Sequence, residues 1–122
     1  MSNNVYNQLV REFAALFGTG EPLPSGRGFR FRSRGRGKVT VYMANLAPGN
    51  LAEAAFEPES FAGHAGVTRQ QAHTLLRRLQ LVTGRQVQPN PRYNWPRIGL
   101  STVQHVEQVV AQLRQTLVPP SL

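Results

Sequence analysis

The chain has 122 residues, 40% of them hydrophobic and 16% charged, which is enough apolar material to bury the core of one domain. It has no cysteine, which excludes disulfides and thiolate metal sites, and it has no aspartate. Fourteen basic residues, nearly all arginine, outnumber the six acidic ones, and the net charge of +8 favours a polyanionic partner.

The first part of the chain predicts a helix followed by two strands. Asn3 or Asn4 can cap a helix that ends at Gly18, because apolar residues recur between them at helical spacing. Prolines and glycines predict a loop over residues 19–28. The alternating stretch FRFRSRGRGKVTVYMA (29–44) predicts two strands, and the alanine-rich LAEAAF that follows predicts a short helix.

A second helical region follows. Its pattern begins at Pro58, and Thr68 is a good N-cap for a longer helix over 68–81 that ends before Gly84. The apolar stripe of that longer helix consists of Ala72, Leu75, Leu76 and Leu79.

The last part of the chain predicts two strands and a helix. RQVQ and YNWPRIGL read as strand-like segments on either side of a turn. Ser101 and Gln104 fit a capping box for a final helix over 101–117. Its apolar residues can either complete the core or form a homodimer. The whole order predicts one α+β domain, residues 1–122, arranged as helix, hairpin, helices (helix-turn-helix-like), hairpin and helix.

Parity predicts how the 29–44 hairpin closes. A three-residue loop, Gly35-Arg36-Gly37, pairs positions of equal parity, whereas a two-residue loop would mix phenylalanine with arginine on each face. One face is then apolar, formed by Phe29, Phe31, Val39, Val41 and Met43. The other is cationic, with Arg30, Arg32, Arg34 and Lys38, and Arg36 lies in the loop.

The cationic face favours contact with nucleic acid. Like charges directly across a strand pair repel, and no acidic residue lies nearby in the sequence, so a polyanion is the partner that would relieve the repulsion. Two alternatives remain open: a solvated face whose arginine stems cover the sheet, and a disordered arginine–glycine tail.

The segment SFAGHAGVTRQQAHTLLRRL resembles the helix-turn-helix motif of DNA-binding proteins. Ala62, Gly66, Ala72 and Leu75 occupy the small, turn and apolar positions of that motif. The resemblance implies that the 68–81 helix enters the major groove of DNA. Its polar side would then present Arg69, Gln70, His73, Thr74 and Arg77. The alternative is an ordinary amphipathic helix with a polar exterior.

The following hairpin resembles the wing of a winged helix, with Arg92 at its tip. Its end is also similar to the YjbR double-wing family. Tyr93, Asn94, Trp95, Ile98 and Leu100 carry that similarity.

No catalytic constellation or nucleotide-binding loop is visible in the sequence, so we expect a non-enzyme without a cofactor or a metal. We also expect a cytoplasmic protein without a membrane partner, associated with the nucleoid if it binds DNA. The predicted function is nucleic-acid binding, with double-stranded DNA favoured, in a regulator or accessory factor. The alternative is a module that docks an acidic partner protein.

Overall fold

The computed structural model describes residues 4–33, 36–43, 50–56, 68–89 and 96–117. These residues form three helices and an antiparallel sheet of six strands, which confirms the α+β class. In chain order the elements are α1 (Asn4–Phe17), β1 (Glu21–Pro22), β2 (Gly28–Ser33), β3 (Arg36–Met43), β4 (Ala52–Phe56), α2 (Arg69–Thr83), β5 (Val87–Pro89), β6 (Pro96–Leu100) and α3 (Val103–Leu117).

The described helices form one layer against one face of the sheet. The strand order is β1-β2-β3-β4-β6-β5; α1 contacts β2, β3 and β4, α3 packs against α1 and α2, and α2 reaches β5. The face toward the helices is called the core face, and the opposite one the outer face. The hairpin residues Phe31, Val39 and Val41 are buried on the core face, as the alternation predicts.

Aromatic contacts join α1 to the sheet. The ring of Phe13 lies 5.5 Å from that of Phe17, 5.9 Å from that of Phe31 and 6.4 Å from that of Phe56, measured between centroids. Each well-oriented aromatic pair adds about 0.5–1.5 kcal/mol beyond the burial of its area. These contacts hold the core face of the β2–β3 hairpin against α1, so that face is closed to a partner.

The prediction of a short helix at LAEAAF was wrong, because Ala52–Phe56 is strand β4. Alanine favours a helix by propensity, but this segment lies between β3 and β6 and pairs with both. All five of its residues are buried, and small side chains suit a central strand covered on both faces. Tertiary pairing therefore overrides the local preference.

The predicted three-residue loop of the β2–β3 hairpin was also wrong. Ser33 pairs with Arg36, so only two residues separate the paired positions, and the register then shifts so that Arg32 pairs with Lys38. This irregularity leaves Gly37 as an extra residue on β3, in the manner of a β-bulge. The bulge restores equal parity for the remaining pairs, which is why the apolar face is correct although the loop is not.

Three predicted helix ends are confirmed. Gly18 follows α1 with φ 93°, and its N–H donates to the Ala14 carbonyl at 2.9 Å. Thr68 caps α2, and its hydroxyl accepts from the backbone N–H of Gln71. Gly84 follows α2 in the left-handed conformation. The helix itself ends at Thr83, two residues later than the predicted end at residue 81.

The start of α3 differs from the prediction. The hydroxyl of Thr102, not that of Ser101, accepts from the backbone N–H of His105 at 3.0 Å, which makes Thr102 the N-cap. The predicted Ser101–Gln104 capping box is therefore wrong. Ser101 instead donates its backbone N–H to Nδ1 of His105 at 3.2 Å.

The apolar stripe of α3 completes the core of the monomer. Val106, Val110 and Leu113 are buried in the same cluster as the sheet residues. Of the two alternatives for this stripe, the structure supports the core. A homodimer through residues 101–117 stays a prediction, and it would have to use the exposed side of the helix, where Glu107 and Arg114 lie.

Candidate nucleic-acid interface

The far end of the β2–β3 hairpin extends past its neighbouring strands. The last pair between β3 and β4 is Val39 with Phe56, and β1 pairs only with positions 29 and 30. The pairs Arg32–Lys38 and Ser33–Arg36 lie beyond these ends, so within the described residues they have no further strand beside them. This two-stranded segment, residues 32–38, is called the basic ribbon.

The basic ribbon belongs to the densest cluster of basic residues in the sequence. Residues 22–52 contain six basic side chains and no acidic one. The register places positions 30, 32 and 38 on the outer face, opposite the buried phenylalanine and valines. Arg34 lies outside the described residues, and Arg36 is the first residue of β3 after the two-residue connection.

The turns of two hairpins lie at the same end of the sheet. β5 and β6 form the antiparallel pair that the wing prediction required, with Pro89 opposite Pro96. Because β4 and β6 are antiparallel neighbours, Pro96 lies toward the edge at which β4 ends, next to the base of the basic ribbon. The predicted tip residue Arg92 falls outside the described residues, but the strands that lead to it point the same way as the ribbon.

The polar residues of the predicted recognition helix line two neighbouring depressions. His73 and Arg77 line a depression of about 440 Å³ together with Val87 of β5. Gln70 and Thr74 line another of about 410 Å³, which is bounded on its far side by residues of α3. Gln70, His73 and Arg77 are exposed and Thr74 is half-buried, and at 3.6 residues per turn all four lie within about 100° of the helix circumference, on one side of α2.

The remaining parts of the helix-turn-helix prediction lie only partly within the described residues. Its first helix, residues 58–66, and its turn fall outside the described residues, as does the side chain of Arg69. The predicted apolar stripe of α2 is confirmed, because Ala72, Leu75 and Leu79 are buried in the core. A stripe of this kind is equally typical of an ordinary amphipathic helix.

The outer face also carries a polar cluster that the sequence did not reveal. Arg97 donates from Nη1 to Oε1 of Glu53 at 2.9 Å, and both side chains are almost fully buried. The Arg97 guanidinium lies 4.0 Å from the ring centroid of Tyr42, in a cation–π contact. The two ion-pair partners are 44 residues apart in sequence, so no local pattern joins them. The alternation of β6 alone could have indicated that Arg97 lies opposite the buried Ile98.

A second arginine anchors the neighbouring loop. Arg85 donates from Nε to the carbonyl of Gly99 at 2.9 Å and from Nη2 to the amide oxygen of Asn50. Asn50 in turn donates to Oε2 of Glu53 at 3.5 Å. An added Cβ at Gly99 would collide with the Asn50 side chain, so a glycine is required there. This network fixes the charges of Arg85, Arg97 and Glu53 within the protein.

Two ionisable side chains have shifted pKa values. Burial raises the pKa of the Tyr6 phenol. Burial, and secondarily the charge of Arg85, lowers the pKa of His105. Neither lies on the ribbon. Within the described ranges, no group of three His, Cys, Asp or Glu side chains could hold a metal ion, and no helix is long and apolar enough to cross a membrane.

Comparison with protein-family models, with curated proteins and with solved structures found no match. The helix-turn-helix, winged-helix and YjbR-like resemblances therefore stay predictions.

Proposed function

We propose that the protein binds nucleic acid, with double-stranded DNA favoured, through the basic ribbon. The observation that carries this proposal is the extension of the hairpin past β1 and β4 in a stretch of six basic residues and no acidic one. A two-stranded ribbon fits the major groove, and arginines suit phosphates and guanine edges.

Charge placement in the rest of the described chain supports the ribbon as the site. Arg97 is paired with Glu53, and Arg114 lies 3.5 Å from Glu12, so part of the positive charge is balanced within the protein. A solvated structural face would gain nothing from placing Arg32 directly opposite Lys38, because like charges across a pair destabilise it by tenths of a kcal/mol. A phosphate beside the two side chains would attract both of them and offset that repulsion.

The test is the salt dependence of DNA affinity. The binding of a 24-base-pair duplex is measured by fluorescence anisotropy at several salt concentrations. We expect the logarithm of the association constant to decrease steeply and linearly with the logarithm of the salt concentration. The triple variant Arg32→Ala, Arg36→Ala, Lys38→Ala should lower the slope by about two to three units, since each lost phosphate contact removes about 0.9.

A matched control removes the same charge elsewhere. Arg11→Ala, Arg78→Ala and Arg114→Ala together also reduce the net charge by three, but these exposed residues lie on α1, α2 and α3. We expect the control slope to stay within one unit of the unmodified protein. Equal slopes for the two triple variants would contradict a ribbon site, and no binding at 20 mM salt would contradict the proposed function.

A specific feature favours a second candidate function, the docking of an acidic partner protein on α2. Leu81 is 83% exposed and follows the exposed Arg77 and Arg78, and α2 contains no acidic residue. An exposed leucine beside arginines suits an acidic peptide with an apolar anchor. Leu81→Asp should abolish such docking and leave DNA binding unchanged. If α2 is instead a recognition helix for DNA, Arg77→Ala should lower the affinity for DNA.

A further inference from the structure

The outer face carries a row of four residues that ends in arginine on both sides. Arg30 pairs with Thr40, Thr40 with Ala55, and Ala55 with Arg97, so the four lie side by side on β2, β3, β4 and β6. Three strand spacings separate the two arginine Cα atoms by about 14 Å. The two residues between them have short, buried side chains and leave the arginines as the prominent groups of the row.

Arg97 contacts Tyr42, and Arg30 occupies a position beside it. The guanidinium of Arg97 reaches from β6 across β4 to the Tyr42 ring on β3. Arg30 is a diagonal neighbour of Tyr42, because Gly28, two positions before Arg30, is the residue opposite Tyr42. The two residues therefore lie on either side of Tyr42 on the outer face.

Each of these arginines has a donor without an acceptor. The Nε atoms of Arg30 and Arg97 are buried and make no hydrogen bond, and the hydrogen bond from Arg97 to Glu53 comes from Nη1. Buried donors are nearly always paired, and Nε is one of the two donors that arginine uses to grip an oxyanion bidentately. Arg97 is only 6% exposed, so its unpaired donor is not turned toward solvent.

We propose that Arg30 and Arg97 hold a phosphate group on the outer face, beside Tyr42. Arg97 is the fixed member, held by Glu53 and the tyrosine ring, and the half-buried Arg30 rotates to admit the phosphate. Each arginine already has a carboxylate near it, since Glu21 lies opposite Arg30 in β1. The arginine pair therefore supplies oriented hydrogen-bond donors, and the positive charge of the ribbon supplies the net electrostatic attraction.

The source of the phosphate rests on the proposed function. Positions 32 and 38 form the next outer-face row beyond Arg30, so a nucleic-acid backbone bound at the ribbon continues along this face to the arginine pair. The nucleic acid would lie on the side of the sheet opposite the helices. A free phosphate would satisfy the same donors without the ribbon.

The test observes the two donors directly. Proton–nitrogen NMR resolves arginine Nε–Hε signals; Arg30→Lys identifies one of them, and contacts to the Tyr42 ring identify that of Arg97. The probes are the 24-base-pair duplex and, separately, inorganic phosphate. We expect both signals to shift with the duplex, and Arg30→Lys, which keeps the charge but loses Nε, to weaken duplex binding about fivefold. Arg27→Lys, an exposed control, should leave the affinity unchanged.

The outcomes separate the two proposals. If the duplex binds with the ribbon-dependent slope but neither signal moves and Arg30→Lys matches the unmodified protein, the phosphate site is wrong and the proposed function stands. If inorganic phosphate moves both signals but the duplex does not bind, the site is supported and the proposed function is wrong. If neither probe has an effect, both are wrong.

Discussion

Replacement of Glu53 by glutamine tests the buried ion pair on which the outer face depends. The change removes one negative charge and keeps the side-chain shape. In the folded protein Glu53 and Arg97 are 1% and 7% exposed at a distance of 2.9 Å, so the variant leaves a guanidinium buried without its counter-charge. Removal of one partner from a buried pair costs about 3–5 kcal/mol.

Urea unfolding measures this cost. With an m-value of about 1.5 kcal/mol per molar urea, a loss of about 3–5 kcal/mol in the free energy of unfolding lowers the urea midpoint by about 2–3 M. The control is Glu12→Gln, because Glu12 and Arg114 form a partly exposed pair at 3.5 Å and should contribute no more than about 1 kcal/mol. The double variant Glu53→Leu, Arg97→Met removes both charges and should be closer to the unmodified protein than Glu53→Gln. A loss below about 1 kcal/mol in Glu53→Gln would refute the reasoning.

Two further predictions concern helix ends. Thr68→Ala removes the hydroxyl that accepts from the Gln71 N–H at 3.1 Å, and it should cost about 1 kcal/mol in thermal or urea unfolding, whereas Thr68→Ser should be neutral. His105 accepts at Nδ1 from the Ser101 N–H, and burial followed by the charge of Arg85 lowers its pKa from 6.5, so the folded state binds the proton less tightly than the unfolded state. The stability from neutral His105 is present above pH 6.5 and decreases as the pH falls below it. The free energy of unfolding should therefore decrease less between pH 7.5 and 5 in His105→Gln, and parallel profiles would contradict this role.

Local signals predicted the features that depend on a few neighbouring residues. The N-cap Thr68 and the left-handed glycines Gly18 and Gly84 begin or end helices where the sequence indicates. Each of these contacts spans at most four residues, so its energy does not depend on the rest of the fold. The alternation of the β2–β3 hairpin likewise predicted its buried face.

The same kind of signal was misleading where packing decides. LAEAAF has good helix formers, but β4 is a central strand because β3 and β6 both pair with it. The hairpin loop was wrong by one residue because a bulge at Gly37 satisfies the same parity as a longer loop. Thr102 rather than Ser101 caps α3, since either hydroxyl could do so from sequence and the chain direction leaving β6 selects one.

The sequence by itself determined the composition of the candidate site: a basic, acid-free stretch with arginines on alternate positions of a hairpin. Only the tertiary structure decided that the ribbon extends past β1 and β4, and that Arg97 is paired with Glu53 beside Tyr42. The reason is physical. Charge and periodicity are properties of residues that are neighbours in the chain. Exposure, strand ends and ion pairs depend on segments that come together only when the chain folds.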